Sequence, residues 1–169
     1  MAVRALEGAD RAILDAVQTP HAYWLDVAAS LITILGQSEV VGTVALGVAI
    51  VWLRARRRDW WVPLLIAVVV AIEVVGKVFI AQDGPPDELS RTIDHFLPFL
   101  ESPTHNAFPS GHVARIAFLV TALRWPLLPA IVLVLVMALT RVYLAEHWPS
   151  DVLGGWLLGY SIAAIARRA

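Results

Sequence analysis

Six apolar runs dominate the chain, at 23–36, 40–53, 60–81, 113–125, 127–144 and 152–166. A helix crossing about 30 Å of hydrocarbon needs about 20 apolar residues. The run 60–81 meets that length outright, and the shorter ones predict tilted or locally thinned spans. Composition narrows the choice further: 59% of the 169 residues are hydrophobic and 16% are charged, against roughly 25% charged in a soluble domain. A soluble domain this small must keep more polar surface than that. The same figures exclude disorder. The absence of cysteine excludes a disulfide framework, a thiolate metal site and a cysteine nucleophile. A formal charge of −1 argues against a nucleic-acid partner. The expected fold is all-α, a six-transmembrane-helix bundle forming a single domain over 1–169.

The segment 1–20 is different in kind. Leu6, Ile13, Leu14 and Val17 alternate with Glu7, Asp10, Arg11 and Asp15, which predicts an amphipathic helix lying in the membrane interface. No apolar stretch follows a basic start, so it does not read as a cleaved signal peptide. Gly36-Gln37-Ser38 separates the first two runs, 54–59 the next two, with Asp59 as a helix N-cap, and Trp125-Pro126 the fourth and fifth. The long proline-containing break 82–110 is the kind of connection that carries function. Six crossings place both termini on one side. That side then holds Arg4, Arg11, Arg54, Arg56, Arg57, Arg58, Arg124, Arg167 and Arg168, leaving Lys77, Arg91, Arg115 and Arg141 on the other. The positive-inside rule makes the termini cytoplasmic and 82–110 an external loop.

The costly polar residues collect at that outer face. Lys77 lies near the outer end of the third run, Ser110, Gly111 and His112 open the fourth, Arg141 ends the fifth, and His147 and Asp151 flank the start of the sixth. Ionisable groups at span ends inside a bundle are functional candidates. The set suits a phosphate. Phe108-Pro109-Ser110-Gly111-His112 reads as a turn into a helix start, where Ser110 caps the helix and Gly111 lets an anion reach the backbone N–H groups. Lys77 and Arg141 add full charges, and Arg offers bidentate contact. With Pro149 in the first turn of the last helix, Asp151 can reach back to one ring nitrogen of His147, leaving the other free as a nucleophile. His112 is then a second proton-handling group.

These residues resemble the type 2 phosphatidic acid phosphatase superfamily, whose three motifs are Lys-x6-Arg-Pro, Pro-Ser-Gly-His and Ser-Arg-x5-His-x3-Asp. The second is complete at Pro109-Ser110-Gly111-His112. The third runs from Thr140-Arg141 through His147 to Asp151, with Thr in place of Ser. In the first, Lys77 is followed after six residues by Gly84-Pro85, so Gly stands where the family has Arg. The resemblance implies that His147 attacks phosphorus to form a phosphohistidine, that His112 protonates the leaving oxygen, and that Asp151 orients His147. Lys77, Ser110, Gly111 and Arg141 would hold the phosphoryl oxygens. It implies no metal and no cofactor. The implied substrate is a lipid phosphate monoester or pyrophosphate: phosphatidic acid, phosphatidylglycerol phosphate, a polyprenyl pyrophosphate or a lipid A phosphate. The expected location is the bacterial cytoplasmic membrane, with membrane lipids around the chain and the active site facing outside.

Gly84 removes one charge-assisted contact, worth roughly 1.5–3 kcal/mol. Arg115, three residues past His112, is expected to supply the missing charge, with Arg91 as the other substitute. The alternative is a catalytically weakened lipid-phosphate-binding membrane protein. A transporter or channel fits less well, because the ionisable groups gather at one face and do not line a path at mid-depth. A soluble haloperoxidase relative is excluded by hydrophobicity. Glu73, one turn before Lys77, is expected to pair with it. His21, His95 and His105 are expected in loop or interface roles. Glu146 is expected to be a solvated neighbour of His147, and Asp26 a local hydrogen-bonding group.

Overall fold

The computed structural model describes residues 2–93 and 106–168. Among these the secondary structure is helical: α1 (Ala2–Val17), α2 (Tyr23–Thr33), α3 (Ser38–Arg54), α4 (Ile66–Phe79), α5 (Gly111–Ala122), α6 (Leu127–Tyr143) and α7 (Pro149–Ala166). Three short 3₁₀ turns, Ile34–Gly36, Val62–Leu65 and Asp87–Leu89, complete the order. Pro126 immediately precedes α6, and Pro149 is the first residue of α7, where its missing N–H costs nothing. Helices α3, α5 and α6 end on residues with positive φ, Arg56 (54°), Arg124 (58°) and Ala145 (54°). In each case the amide two residues past the C-cap bonds back to the last full turn, Arg57 to Trp52, Trp125 to Val120 and Glu146 to Arg141, the closure usually given to glycine.

Helix α5 runs through the middle and packs on α3, α4, α6 and α7. Val113, Ala114, Ile116, Phe118 and Val120 are buried along it. Helix α7 approaches α5 most closely through Gly155, Gly159 and Ala163, all buried and four residues apart. A Cβ on Gly155 would stand 2.2 Å from the Ser110 carbonyl oxygen, and one on Gly159 2.0 Å from that of Ala114. Small residues at this spacing let two backbones meet, which fixes the start of α5 against the start of α7. Gly159→Val is therefore expected to push the helices apart and lower the thermal unfolding midpoint by several degrees; an unchanged midpoint would contradict this packing.

Two expectations about the spans change. The runs 23–36 and 40–53 do not fold back on each other. They continue as one rod bent by 44° between α2 and α3, because Gly36-Gln37 turns the chain only through a 3₁₀ step before α3 restarts at Ser38. Among the described residues the six apolar runs thus make five lengthwise elements, with α1 and the end of α7 at opposite ends of the bundle. Asp10 of α1 accepts hydrogen bonds from Ser150 at the start of α7, and Gln18 donates to the carbonyl of Tyr143 at the end of α6. These contacts are eight residues apart, about 12 Å along a helix, so α1 lies across that end. At the other end Arg167 donates to the Thr121 carbonyl. That far end carries Arg54, Arg56, Arg57, Arg58, Arg124, Arg167 and Arg168. Asp59 does not cap α4: its carboxylate takes a two-pronged contact from Arg57 (2.9 and 2.8 Å), and α4 is entered through the 3₁₀ turn at Val62.

The outward faces are apolar. Leu46, Val51, Val75, Val78, Leu128, Leu135, Leu139 and Leu153 are all exposed, a surface too continuous for water and suited to lipid. Val62–Phe79 is alone among the described helices in being long and apolar enough to cross by itself, and the bent pair passes the same test as one span.

Candidate active site

The motif residues meet where α4 and α6 end and α5 and α7 begin. Ser110 precedes α5, held by its backbone N–H donating to the Asp151 carbonyl at 3.0 Å. It does not cap the helix, contrary to the sequence expectation. Its hydroxyl is fully buried and meets no partner among the described residues. The first turn of α5 thus has no side-chain cap, and the Ser110 hydroxyl beside it is unengaged among the described residues.

Glu73 and Lys77 sit one turn apart on α4 and pair at 3.2 Å, as expected. The Glu73 carboxylate also takes Arg115 of α5 at 2.5 Å. A Cβ on Gly111 would fall 1.9 Å from Glu73 Oε1, so a side chain there would displace the Glu73 carboxylate from where it stands. Arg115 stands beside the site as predicted, yet its donors are directed elsewhere. Nε donates to the Gly36 carbonyl (2.8 Å), one terminal nitrogen to Glu73, and the other faces His112 Nδ1 (3.4 Å). Arg91, the second expected substitute, is held at the periphery, donating to the carbonyls of Pro20 and Gln18 and lying over the Tyr143 ring.

Arg141 is buried on α6. Its terminal nitrogens reach Thr33 Oγ1 (2.7 Å) and Glu146 (3.4 Å), while Nε has no partner among the described residues. After α6, the left-handed Ala145 turns the chain so that the amides of Glu146 and His147 both return to the Arg141 carbonyl. His147 is buried, with Nδ1 3.6 Å from Asp151 Oδ2. That is ion-pair range, longer than a hydrogen bond. Asp151 is wholly buried in the first turn of α7. Its Oδ2 accepts from the Trp148 amide (2.9 Å) and its Oδ1 from Gln82 Nε2 (2.7 Å). Gln82 also contacts Ser150, whose hydroxyl donates to Asp10 of α1 at 2.6 Å. A chain of hydrogen bonds therefore ties α1 to the carboxylate beside His147. Burial, reinforced by Arg141 and Lys77, holds the His147 imidazole well below its usual range. It is neutral at neutral pH, the state a nitrogen nucleophile needs. The charges of Lys77, Arg115 and Arg141 bear on His112, so both imidazoles share one cationic surrounding.

The structure thus brings together Lys77, Ser110, Gly111, His112, Arg141, His147 and Asp151 from four elements. Sequence reasoning missed Gln82, Thr33, Gly36 and Asp10, which reach the site by contacts over long sequence separations. Asp26 is not locally bonded; it accepts from Tyr143 at 2.6 Å across the bundle. Glu146 is not merely solvated, since Arg141 and the Thr92 hydroxyl both contact it. His21 is exposed. His95 and His105 lie outside the described residues. Gly84 has open space: an added Cβ would meet only Ala107 Cβ, at 3.6 Å. A cavity of about 280 Å³ at the far end, lined by Arg58, Asp59, Trp61, Arg124 and Arg167 among others, contains none of these groups.

Residues 58–169 match the family model of the PAP2 superfamily, and the chain belongs to that superfamily. It is 33% identical over 119 residues to an undecaprenyl-diphosphatase of Sulfolobus acidocaldarius, covering 66% of this chain and 55% of that protein. It is 35% identical over 115 residues to a decaprenylphosphoryl-5-phosphoribose phosphatase of Mycobacterium tuberculosis, covering 65% of this chain and 60% of that one. The matches thus span a little over half the length of these relatives. Two crystal structures share the fold. One is a transmembrane PAP2-type phosphatidylglycerolphosphate phosphatase from Bacillus subtilis, with TM-score 0.79, 23% identity, and 97% of this chain and 85% of that chain covered. The other is LpxE from Aquifex aeolicus, with TM-score 0.70, 21% identity and 93% of each chain covered.

Proposed function

We propose that this chain is an integral-membrane phosphatase that hydrolyses a lipid phosphate monoester or pyrophosphate through a phosphohistidine on His147. The observation that carries the reading is that, of five buried polar atoms without a hydrogen-bond partner among the described residues, three belong to motif residues: Ser110 Oγ, Arg141 Nε and His147 Nδ1. Leaving such atoms unmet costs about 1–3 kcal/mol each. A phosphoryl group accepts from Ser110 and Arg141. Its arrival also gives His147 Nδ1–H reason to close on Asp151 as positive charge develops on the ring. Lys77, the Gly111 N–H and the α5 N-terminus add charge and dipole where the transition state is most anionic, and the proposal calls for no metal.

His147 attacks in line through its other ring nitrogen. His112 faces the leaving oxygen, and Asp151 orients His147. Gln82, the Trp148 amide and, through Ser150, Asp10 hold Asp151 in place. The head group enters at the end of the bundle while the tails stay against the apolar flanks. With seven arginines at the far end, the positive-inside rule puts the site outside the cytoplasm and the C-terminus within it. Helix α1 then lies in the outer interface. The missing first-motif arginine weakens phosphate binding without removing the nucleophile. The weakened-binder reading gains no support, because His112, His147 and Asp151 are all in place.

The test is release of inorganic phosphate by the purified protein in one detergent from short-chain phosphatidic acid, phosphatidylglycerol phosphate and a prenyl diphosphate. Turnover of at least one is expected. Stoichiometric binding with no turnover of any would instead establish the weakened binder.

A further inference from the structure

We infer, granting that His147 is the nucleophile, that Arg115 holds His112 as a neutral imidazole with its proton on Nε2, and that this fits the site to lipid diphosphates over lipid monophosphates. A guanidinium has five N–H donors and no acceptor. The Arg115 nitrogen that faces His112 Nδ1 at 3.4 Å can therefore act only as a donor there, which favours a lone pair on Nδ1. Arg115 cannot withdraw, because Nε is fixed to the Gly36 carbonyl and its other terminal nitrogen to buried Glu73. Gly36 packs against the ring, so closely that a Cβ there would lie 2.8 Å from His112 Cδ2 and 2.9 Å from His112 Cβ. A second proton on Nδ1 would set N–H against N–H, with Lys77 of α4 and Arg141 of α6 adding like charge, while the Glu73 carboxylate is engaged by Lys77 and Arg115.

A neutral imidazole donates a hydrogen bond well and a proton poorly. The two substrate classes differ in what they ask of it. A monoester leaves as an alkoxide whose conjugate acid is about as weak as water, near pKa 15.7, so it must receive a proton. A diphosphate leaves as a phosphate monoester, whose second pKa is about 6, and needs none. With a diphosphate the His147 lone pair forms the N–P bond. The P–O bond to the bridging oxygen breaks, and its electron pair departs on the lipid monophosphate. His112 Nε2–H stabilises that oxygen by a hydrogen bond, and no proton moves. Water then adds across the N–P bond, giving dihydrogen phosphate and neutral His147. Arg115 acts here through His112, as a positioning residue.

The test compares dodecyl diphosphate with dodecyl monophosphate, which share one tail, on the full-length protein in detergent. The wild type is expected to favour the diphosphate in kcat/KM by on the order of 100-fold, the size of a general-acid contribution. Arg115→Gln, and the charge-balanced pair Glu73→Gln with Arg115→Gln, free Nδ1 to take a proton. Each is expected to narrow that ratio by about tenfold or more. Each is also expected to make monophosphate hydrolysis decline as pH rises, as the acid form of His112 is lost. A purely structural role for Arg115 would slow both substrates alike and leave the ratio and pH profile unmoved, which would overturn the inference. So would a wild type that cleaves the monophosphate as fast as the diphosphate, a result that stands even if the variants do not fold. A wild type inert toward both would take down the His147 reading itself.

Discussion

His147→Ala is expected to lose phosphate release by about 10⁴-fold or more while the protein still folds. On the proposed route His147 forms the covalent bond, and removing the nucleophile from a set that acts as a unit leaves only residual binding effects. Folding should survive because the turn carrying His147 is held by backbone, through the Glu146 and His147 amides on the Arg141 carbonyl and the left-handed Ala145. The imidazole makes no hydrogen bond at Nδ1 that would be lost. Phosphate release compared at equal amounts of folded protein, judged by thermal unfolding, checks this. A variant keeping a tenth of the activity would place the nucleophile elsewhere. The pH dependence has a sign as well. His147 is held neutral by burial with Arg141 and Lys77, so activity should persist on the acid side of the pH at which an unburied histidine would protonate, near 6.5. Loss of activity beginning above that pH would contradict the neutral imidazole.

Arg141→Lys is expected to cost on the order of 10²–10³ in kcat with a smaller change in KM, the scale of losing a pre-placed donor to developing negative charge. The substitution keeps the positive charge beside Glu146, so a plain need for charge would be met. It removes the planar fork that spans Thr33, Glu146 and the unpartnered Nε position. Parallel steady-state kinetics on one lipid phosphate would show it. Equal kcat in wild type and variant would mean that Arg141 contributes only bulk charge.

The site was more legible in the sequence than the bundle around it. Spacing alone carried His147 and Asp151, because Pro149 fixes the start of α7 and sets both within one turn of each other. Ser110 and Gly111 announced a helix start with an open anion approach, although the hydroxyl stays free of its own helix. The bundle's parity was hidden in Gly36-Gln37-Ser38. A short break containing glycine serves equally for a hairpin between spans or for a bend within one, and only tertiary packing decides. Here Gly36 is taken by Arg115 and His112 at the 44° bend between α2 and α3. Once the first two runs become one rod, α1 moves to the site end, where Asp10 and Gln18 anchor it. Partners distant in sequence were illegible for the same reason. Nothing near Asp26 pointed to Tyr143, and nothing near Arg115 pointed to Glu73.

The covalent intermediate itself is the most direct measure of the account. Rapid acid-free quenching of the protein with a terminally ³²P-labelled prenyl diphosphate, followed by peptide mapping, should find label that is stable to alkali, labile to acid and confined to the peptide carrying His147. It should appear and decay at rates consistent with turnover. Turnover with no protein-bound label, or label on any other residue, would contradict it.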